Sequence, residues 1–439
     1  MVLNLKRPLV LILLSSLSMF SSAQVLNIDP GSVEAQAWII YDPQSGQIID
    51  EYQSDVERAP ASLTKMMVAY LTLKAVKEGK LHLDQFINVP EIITTVHSDE
   101  SRMHLKPNEQ ISIQNLLSGL IIMSANDAAL TLGVLVAGND TNFVQLMNST
   151  AHKLGMQHTQ FRNPSGITMD GHYSSAKDLA ILAQAIVKET PEYLNYSKQP
   201  IFNYKDLTHH ATNILLQKDT SIDGMKTGYT GAAGYNLALT ANRLDPNTNE
   251  YRRLIVVVLG TASKQKRAEV ADLLLNIAFN YTQTKRLFMH PQPLADLHVI
   301  NGKQNLYRIL LPQNLSYNTL SLLPQNQVLD AKQFDQITQR FVIHPDFQQI
   351  LEPLKSPQQI NYHVELTQPQ LHAPLQQTAM TIAKVDVSQF GRIIHQVNIQ
   401  QDVLLEQASW WHRLLHWIKA LFGLNSENLK PILYPIQNN

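Results

Sequence analysis

Apolar and polar residues alternate along AWIIYDPQSGQIIDEY (37–52) around a Pro/Ser/Gly turn, a pattern that predicts a β-hairpin. A second strand pair is expected from GYNLALTA (234–241) and RLIVVVLGT (253–261), separated by the turn-rich stretch Asp245–Glu250. Between the hairpins the period changes. Apolar residues recur at helical spacing over 62–76, 111–123, 127–138 and 176–189, and again over 266–281. The economical arrangement is one sheet assembled from both ends, with a helical insertion between its strands.

Beyond HPQP (290–293) the chain becomes rich in Gln, Asn and Pro. Short alternating segments follow, such as LYRILL (306–311), INYHVEL (360–366) and HQVNI (395–399), and these predict a separate small β domain. Near the end, WWHRLLHWIKALFGL (410–424) places Trp410, Leu414, Trp417, Ile418 and Leu421 on one helical face. Arg413, His416 and Lys419 lie on or toward the other side. Tryptophans with basic residues on a short amphipathic helix suit the plane of a membrane interface. The alternative is a helix packed on the β domain.

Two other apolar runs bear on the membrane question. Lys6 and Arg7 precede LVLILLSSLSMF (9–20), and Ala23 ends a small-residue site, as in a secretory signal peptide. An uncleaved anchor is the other reading of that run. Ile113–Val136 is also apolar, but Asn126 and Asp127 sit at its centre. An Asp at the bilayer centre costs about 2.5–3.5 kcal/mol, so two core helices broken by a loop fit better. The expected organisation is therefore a signal peptide (1–23), a first domain (24–289), a β-rich domain (294–405), an amphipathic helix (408–424) and a tail (425–439).

Composition sharpens this. The 439 residues include no cysteine, so neither a disulfide framework nor a thiol nucleophile exists. A net charge of −1 gives no argument for nucleic acid. Sixteen histidines are scattered without H-E-x-x-H or a similar ligand pattern, and no P-loop motif occurs, so neither a metal nor a nucleotide cofactor is expected.

The chemistry is carried by three short motifs. In APASLTKMM (59–67), Ser62 and Lys65 stand at i and i+3, on one face of a helix that Pro60 helps to start. A serine at a helix N-terminus feels its positive end, and a buried Lys beside it has a lowered pKa and can take the Ser proton. S-x-x-K alone means little, since Ser174/Lys177 and Ser263/Lys266 also match. S-x-N occurs at Ser124/Asn126, Ser316/Asn318 and Ser426/Asn428, whereas K-T-G occurs once, at Lys226-Thr227-Gly228. Context separates them: only Ser62 begins an apolar helix, only Ser124 lies between two, and Lys226 leads a sheet strand. Those are the three places where a serine acyl-transferase built from S-x-x-K, S-x-N and K-T-G puts its parts.

With these residues the chain resembles the low-molecular-mass penicillin-binding proteins, serine-type D-alanyl-D-alanine carboxypeptidases. FRNPSGITMDGHYSSAKDLA (161–180), AGYNLALTA (233–241) and LHAPL (371–375) also look like family sequence. The resemblance implies an α+β fold of the serine β-lactamase/DD-peptidase type. That fold is an antiparallel sheet flanked by helices with a helical insertion, then a β-rich domain and a C-terminal amphipathic helix. It also implies a periplasmic enzyme on the outer face of the inner membrane that removes the last D-alanine of peptidoglycan stem peptides, and that β-lactams acylate.

The family's roles, carried onto matching positions, make Ser62 the nucleophile and Lys65 its general base. Ser124 would relay a proton to the departing D-alanine, and Asn126 would position Lys65 and the substrate amide. Lys226 would supply positive potential and polarise Ser124. Thr227, helped by Arg267, would bind the terminal carboxylate, and Gly228 would let substrate backbone approach. The oxyanion hole would be the backbone N–H groups of Ser62 and Tyr229. Some relatives carry His where this chain has Tyr229, and the segment 325–341 looks unlike the family's β domain.

Rival readings are few. A class A β-lactamase adds a Glu four residues before an Asn, but the residue four before Asn195 is Pro191. A transpeptidase or endopeptidase on the same fold differs only in its acyl acceptor or in the bond it cleaves. A non-catalytic envelope-binding protein is disfavoured by the intact Ser62, Lys65, Ser124 and Lys226.

Overall fold

The computed structural model describes residues 25–245, 249–287, 292–312, 315–320, 360–389, 391–421 and 430–436. The expected signal peptide, the segment 325–341 and most of the expected tail lie outside the described residues.

The chain opens with the expected hairpin, β1 (Ala37–Asp42) and β2 (Gln47–Tyr52). The helical insertion follows: α1 (Lys65–Lys77), the short pair β3 (Phe86–Asn88) and β4 (Gln110–Ser112), α2 (Ile113–Ser118), α3 (Asn126–Ala137), α4 (Asp140–Leu154), α5 (Ala176–Glu189) and α6 (Tyr193–Ser197). Side chains of Ser112, Asn139 and Ser175 cap α2, α4 and α5, each accepting a first-turn N–H that the helix leaves unpaired. The expected helix over 111–123 is split, since 111–112 pair with β3 and a π-turn occupies Gly119–Met123. A small hairpin, β5 (Ile201–Tyr204) and β6 (Leu207–His210), precedes the return to the sheet.

That return is β7 (Ile222–Thr230), β8 (Gly234–Asp245) and β9 (Glu250–Thr261), followed by α7 (Lys264–Tyr281). The antiparallel order β2-β1-β9-β8-β7 joins both ends of the sequence in one sheet, as expected. One expectation is corrected. Lys226, Thr227 and Gly228 do not lead into a strand but lie inside β7, the edge strand, opposite Ala238, Leu237 and Asn236.

Alternation along the strands builds two cores. Ala37, Ile39 and Tyr41 of β1, with Ile255, Val257 and Leu259 of β9, face α1–α5. Trp38, Ile40, Val256 and Val258 face α7 and run on into the apolar side of the β-rich region. Each buried Leu, Ile or Val there contributes about 1.5–3 kcal/mol.

The β-rich region comprises β10 (Thr282–Leu287), β11 (Pro293–Ile300), β12 (Leu306–Leu310), β13 (Leu315–Leu320), β14 (Ile360–Leu366), β15 (Gln370–His372), β16 (Leu375–Gln389), β17 (Arg392–Leu405) and a short β18 (Ile432–Leu433). Its first strand starts upstream of the Pro-containing stretch and pairs with β13. A buried polar network fastens it to the sheet. Gln47 Nε2 donates to Ile394 O (2.7 Å), Asn318 Nδ2 to Asp42 Oδ2 (2.7 Å), and Arg252 to Thr282 O (2.7 Å) and Asn318 Oδ1 (2.8 Å). Last comes α8 (Trp410–Leu421).

Candidate active site

Ser62 lies on a 3-10 turn, Ala61–Thr64, that hands the chain to α1 at Lys65. The i, i+3 spacing brings Lys65 Nζ to 3.1 Å from Ser62 Oγ, to which it donates. A second bond runs from Nζ to Ser165 O at 2.5 Å. Lys65 is fully buried while Ser62 remains half-exposed, so the nucleophile can be reached and its partner cannot. Burial lowers the Lys65 amine to about 7, against the opposing pull of Glu100 and Asp127. An amine titrating there is neutral often enough at neutral pH to accept a proton.

Three segments hold this turn. Asn236, buried in β8, donates to Ala59 O (3.0 Å) and Pro60 O (3.2 Å) and accepts from Gly260 N (2.9 Å). Asn163 accepts from Gly166 N (2.7 Å) and Ile167 N (3.2 Å), folding the NPSG turn so that Ser165 O faces Lys65. Gly166 has φ +81°, and a Cβ there would lie 2.0 Å from Ala61 O. Behind the turn, His172 Nδ1 accepts from Arg162 N (3.0 Å), so its Nε2–H donates to Thr64 Oγ1 (2.9 Å).

Ser124 closes the π-turn with φ +63°, the left-handed region that is costly for a residue bearing a Cβ. Its buried Oγ has no partner among the described residues. No hydrogen bond joins it to Lys226, and none joins Asn126 to Lys65. Asn126 Nδ2 instead donates to Glu100 Oε2 at 2.5 Å. The loop carrying Glu100 is fastened to the start of α3, because Asn126 N donates to Ser101 O (2.7 Å). The Asp127 carboxylate accepts from Met103 N (3.0 Å) and Leu105 N (3.1 Å).

Edge strand β7 forms the third wall. Gly228 packs against the Ser62 turn so closely that a Cβ would lie 3.0 Å from Ser62 N. Lys226 is buried and donates to Thr227 O (3.0 Å). Burial, then the charges of Lys65 and Arg267, hold its amine well below the usual lysine range. Thr227 Oγ1 is hydrogen-bonded to Thr212 Oγ1, and Arg267 Nη2 donates to Thr212 O (3.1 Å). Burial lowers the Arg267 guanidinium to about 10, where it is still charged at neutral pH.

The structure thus gathers all of the expected site residues into one region and disposes of the decoys among the described residues, Ser426/Asn428 lying outside them. Ser174 is buried against Thr159 and Lys177 pairs with Asp55. Ser263 caps α7 while Lys266 pairs with Glu34. Asn318 belongs to the network at the β-rich region. The residues missed were Glu100, Ser165, His172, Thr212 and Asn236. NPSG and the Asn within GYNLALTA were visible signals, a tight turn and a polar residue inside an apolar strand. Glu100 and Thr212 carried none.

The family model for Peptidase S11, D-alanyl-D-alanine carboxypeptidase, matches residues 23–263, and the chain belongs to this family of serine hydrolases. It is 33% identical to D-alanyl-D-alanine carboxypeptidase DacA of Haemophilus influenzae over 298 residues, 67% of this chain and 75% of the relative. Penicillin binding protein 5 from Haemophilus influenzae has the same fold, with TM-score 0.67 and 28% identity over 87% of this chain and all of that one. Penicillin-binding protein D2 from Listeria monocytogenes, solved in its cefotaxime-bound form, matches 56% of this chain and 98% of its own, with TM-score 0.50 and 32% identity.

Proposed function

We propose that the chain removes the terminal D-alanine of peptidoglycan stem peptides through an acyl-enzyme on Ser62. The observation that carries this reading is the 3.1 Å bond between Ser62 Oγ and the buried Lys65 amine, set beneath edge strand β7. Neutral Lys65 takes the Ser62 proton as Oγ attacks the carbonyl of the penultimate D-alanine. The resulting oxyanion is held by the backbone N–H groups of Ser62 and Tyr229; such a donor is worth about 10²–10³ in rate. The C–N bond breaks, and the departing D-alanine receives its proton through Ser124. Water then attacks the Ser62 ester and gives a proton to Lys65, which returns it to Ser62 Oγ as the shortened peptide leaves. Thr227, with Thr212 and Arg267 behind it, holds the terminal carboxylate. Lys226, drawn toward its ammonium form by the arriving carboxylate while Lys65 is neutral, supplies positive potential to the site.

The same nucleophile accounts for covalent capture of β-lactams, whose strained amide takes the place of the D-Ala-D-Ala bond. A labelled penicillin is expected to modify the wild type and to leave Ser62→Ala unmodified. A wild type that never labels refutes the reading.

Attachment to the outer face of the inner membrane is assigned to α8. Trp410 (58% exposed), Trp411 (66%) and Trp417 (61%), with Leu415 and Ile418, present an apolar surface to solvent, while Leu414 is half-buried. That surface suits an interfacial helix lying in the membrane plane. Among the described residues no helix is long and apolar enough to cross a membrane.

A further inference from the structure

We infer that Glu100 is a positioning residue of the acyl-transfer site, orienting the Asn126 amide toward the substrate and standing as the counter-charge to the Lys65 ammonium. The inference rests on the catalytic reading above.

Glu100 lies on the loop between β3 and β4, half-buried beside a cleft of about 430 Å³ that Ser101, Met123 and Thr212 also line. Its carboxylate is held at both oxygens. Oε1 accepts from His97 N (3.1 Å) and Oε2 from Asn126 Nδ2 (2.5 Å). An ionised carboxylate only accepts, so the amide nitrogen of Asn126 must face it. Oδ1 is thereby turned away, and among the described residues nothing donates to it. It is left as an acceptor for a substrate amide N–H at the S-x-N wall.

The same carboxylate acts on Lys65 through its charge. The charged and titratable groups around that amine are Glu100 on the loop, Asp127 on α3, Lys226 on β7 and His172 on the turn before α5. Asp127 spends its oxygens on the backbone N–H groups of Met103, Leu105 and Ala128. Glu100 is the carboxylate that bonds the Asn126 amide and also bears on the Lys65 amine through its charge, from the side of the cleft.

The test measures acylation by a fluorescent penicillin between pH 5 and 9, with kcat and KM for a peptide ending in D-Ala-D-Ala, on the full chain. Removing the charge in Glu100→Gln weakens the ammonium form of Lys65. The acid limb of acylation is therefore expected to move down by about one pH unit. Glu100→Asp keeps the charge and is expected to keep the wild-type limb. Glu100→Ala frees the Asn126 amide and is expected to raise KM about tenfold, as for one lost charge-assisted hydrogen bond. A Glu100→Gln limb that overlays the wild type overturns the inference, and so does a Glu100→Asp limb that moves as far as that of Glu100→Gln. Failure of the wild type to acylate at all removes instead the catalytic reading beneath it.

Discussion

The ring of Tyr229 stacks on that of Tyr235, with centroids 4.3 Å apart and planes inclined by 30°. The Arg267 guanidinium lies 6.0 Å from the Tyr235 centroid. Tyr229 is 55% exposed at the end of β7, so its ring roofs the strand that carries the K-T-G motif rather than filling the core. The side chain that the sequence left without a task thus has one, in bracing a cross-strand pair. Tyr229→Ala retains the backbone N–H and is expected to cost about 0.5–1.5 kcal/mol of stability, with acylation changed less than tenfold. Thermal melts and penicillin labelling check both; a loss of labelling near that of Ser62→Ala would assign the ring to the chemistry.

The pH dependence of acylation follows from Lys65, held at about 7 by burial. Its neutral amine is the form that accepts the Ser62 proton. Acylation is expected to be slow below pH 7, to rise as pH passes through about 7, and to level off above. Lys65→Arg keeps a cation that stays protonated, and is expected to lose about 10²–10⁴-fold at every pH. Stopped-flow labelling across pH 5–9 reads both effects.

Gly166 is a backbone requirement of the base. Gly166→Ala would drive a methyl into Ala61 O from a positive-φ position, displacing either the NPSG turn or the Ser62 turn. Ser165 O would then lose its register with Lys65. A loss of about 10²-fold in acylation is expected, as for misplacement by about 1 Å. The labelling rate constant of a variant shown to be folded by its near-UV spectrum tests this.

His172 ties stability to pH. In the unfolded chain it protonates near 6.5, whereas burial, aided by the charges of Arg162 and Lys65, holds it to about 4 in the fold. Between those values the unfolded chain takes a proton that the fold excludes, so stability falls as pH drops from about 6.5 to about 4. The full loss is on the order of 3 kcal/mol. His395 in β17, also held to about 4 by burial, adds to it with the same sign. Denaturant midpoints measured at pH 7, 5.5 and 4 should fall, and the slope should flatten in His172→Gln.

The exposed tryptophans of α8 make the membrane assignment testable. Replacing Trp410, Trp411 and Trp417 by Glu is expected to abolish sedimentation with anionic vesicles while leaving penicillin labelling intact. Unchanged sedimentation would contradict the assignment.

Much of the architecture was legible because it rests on local pattern. The first hairpin and α5 follow directly from periods of 2 and 3.6. The missed α4 carries Phe143, Met147 and Ala151 at i, i+4 and i+8, a signal present in the sequence. Ser62 and Ser124 were legible because each sits where an element begins or bends, and K-T-G because it occurs once in the chain. What could not be read is tertiary. Glu100 reaches Asn126 from a polar loop with no periodicity, and Thr212 meets Thr227 from the loop that follows β6. Ser165 serves through its backbone carbonyl, which no side-chain pattern reports. Lys226 reads as the lead-in to β8 rather than as part of β7 because the glycines after it resemble a turn, although β8 pairs with residues 224–230.

Mass spectrometry of a synthetic pentapeptide ending in D-Ala-D-Ala, incubated with the purified chain, tests the central claim most directly. The expected result is loss of one alanine with the wild type and an unchanged peptide with Ser62→Ala. An intact peptide with active, penicillin-labelled wild type, or continued alanine release by Ser62→Ala, would contradict it.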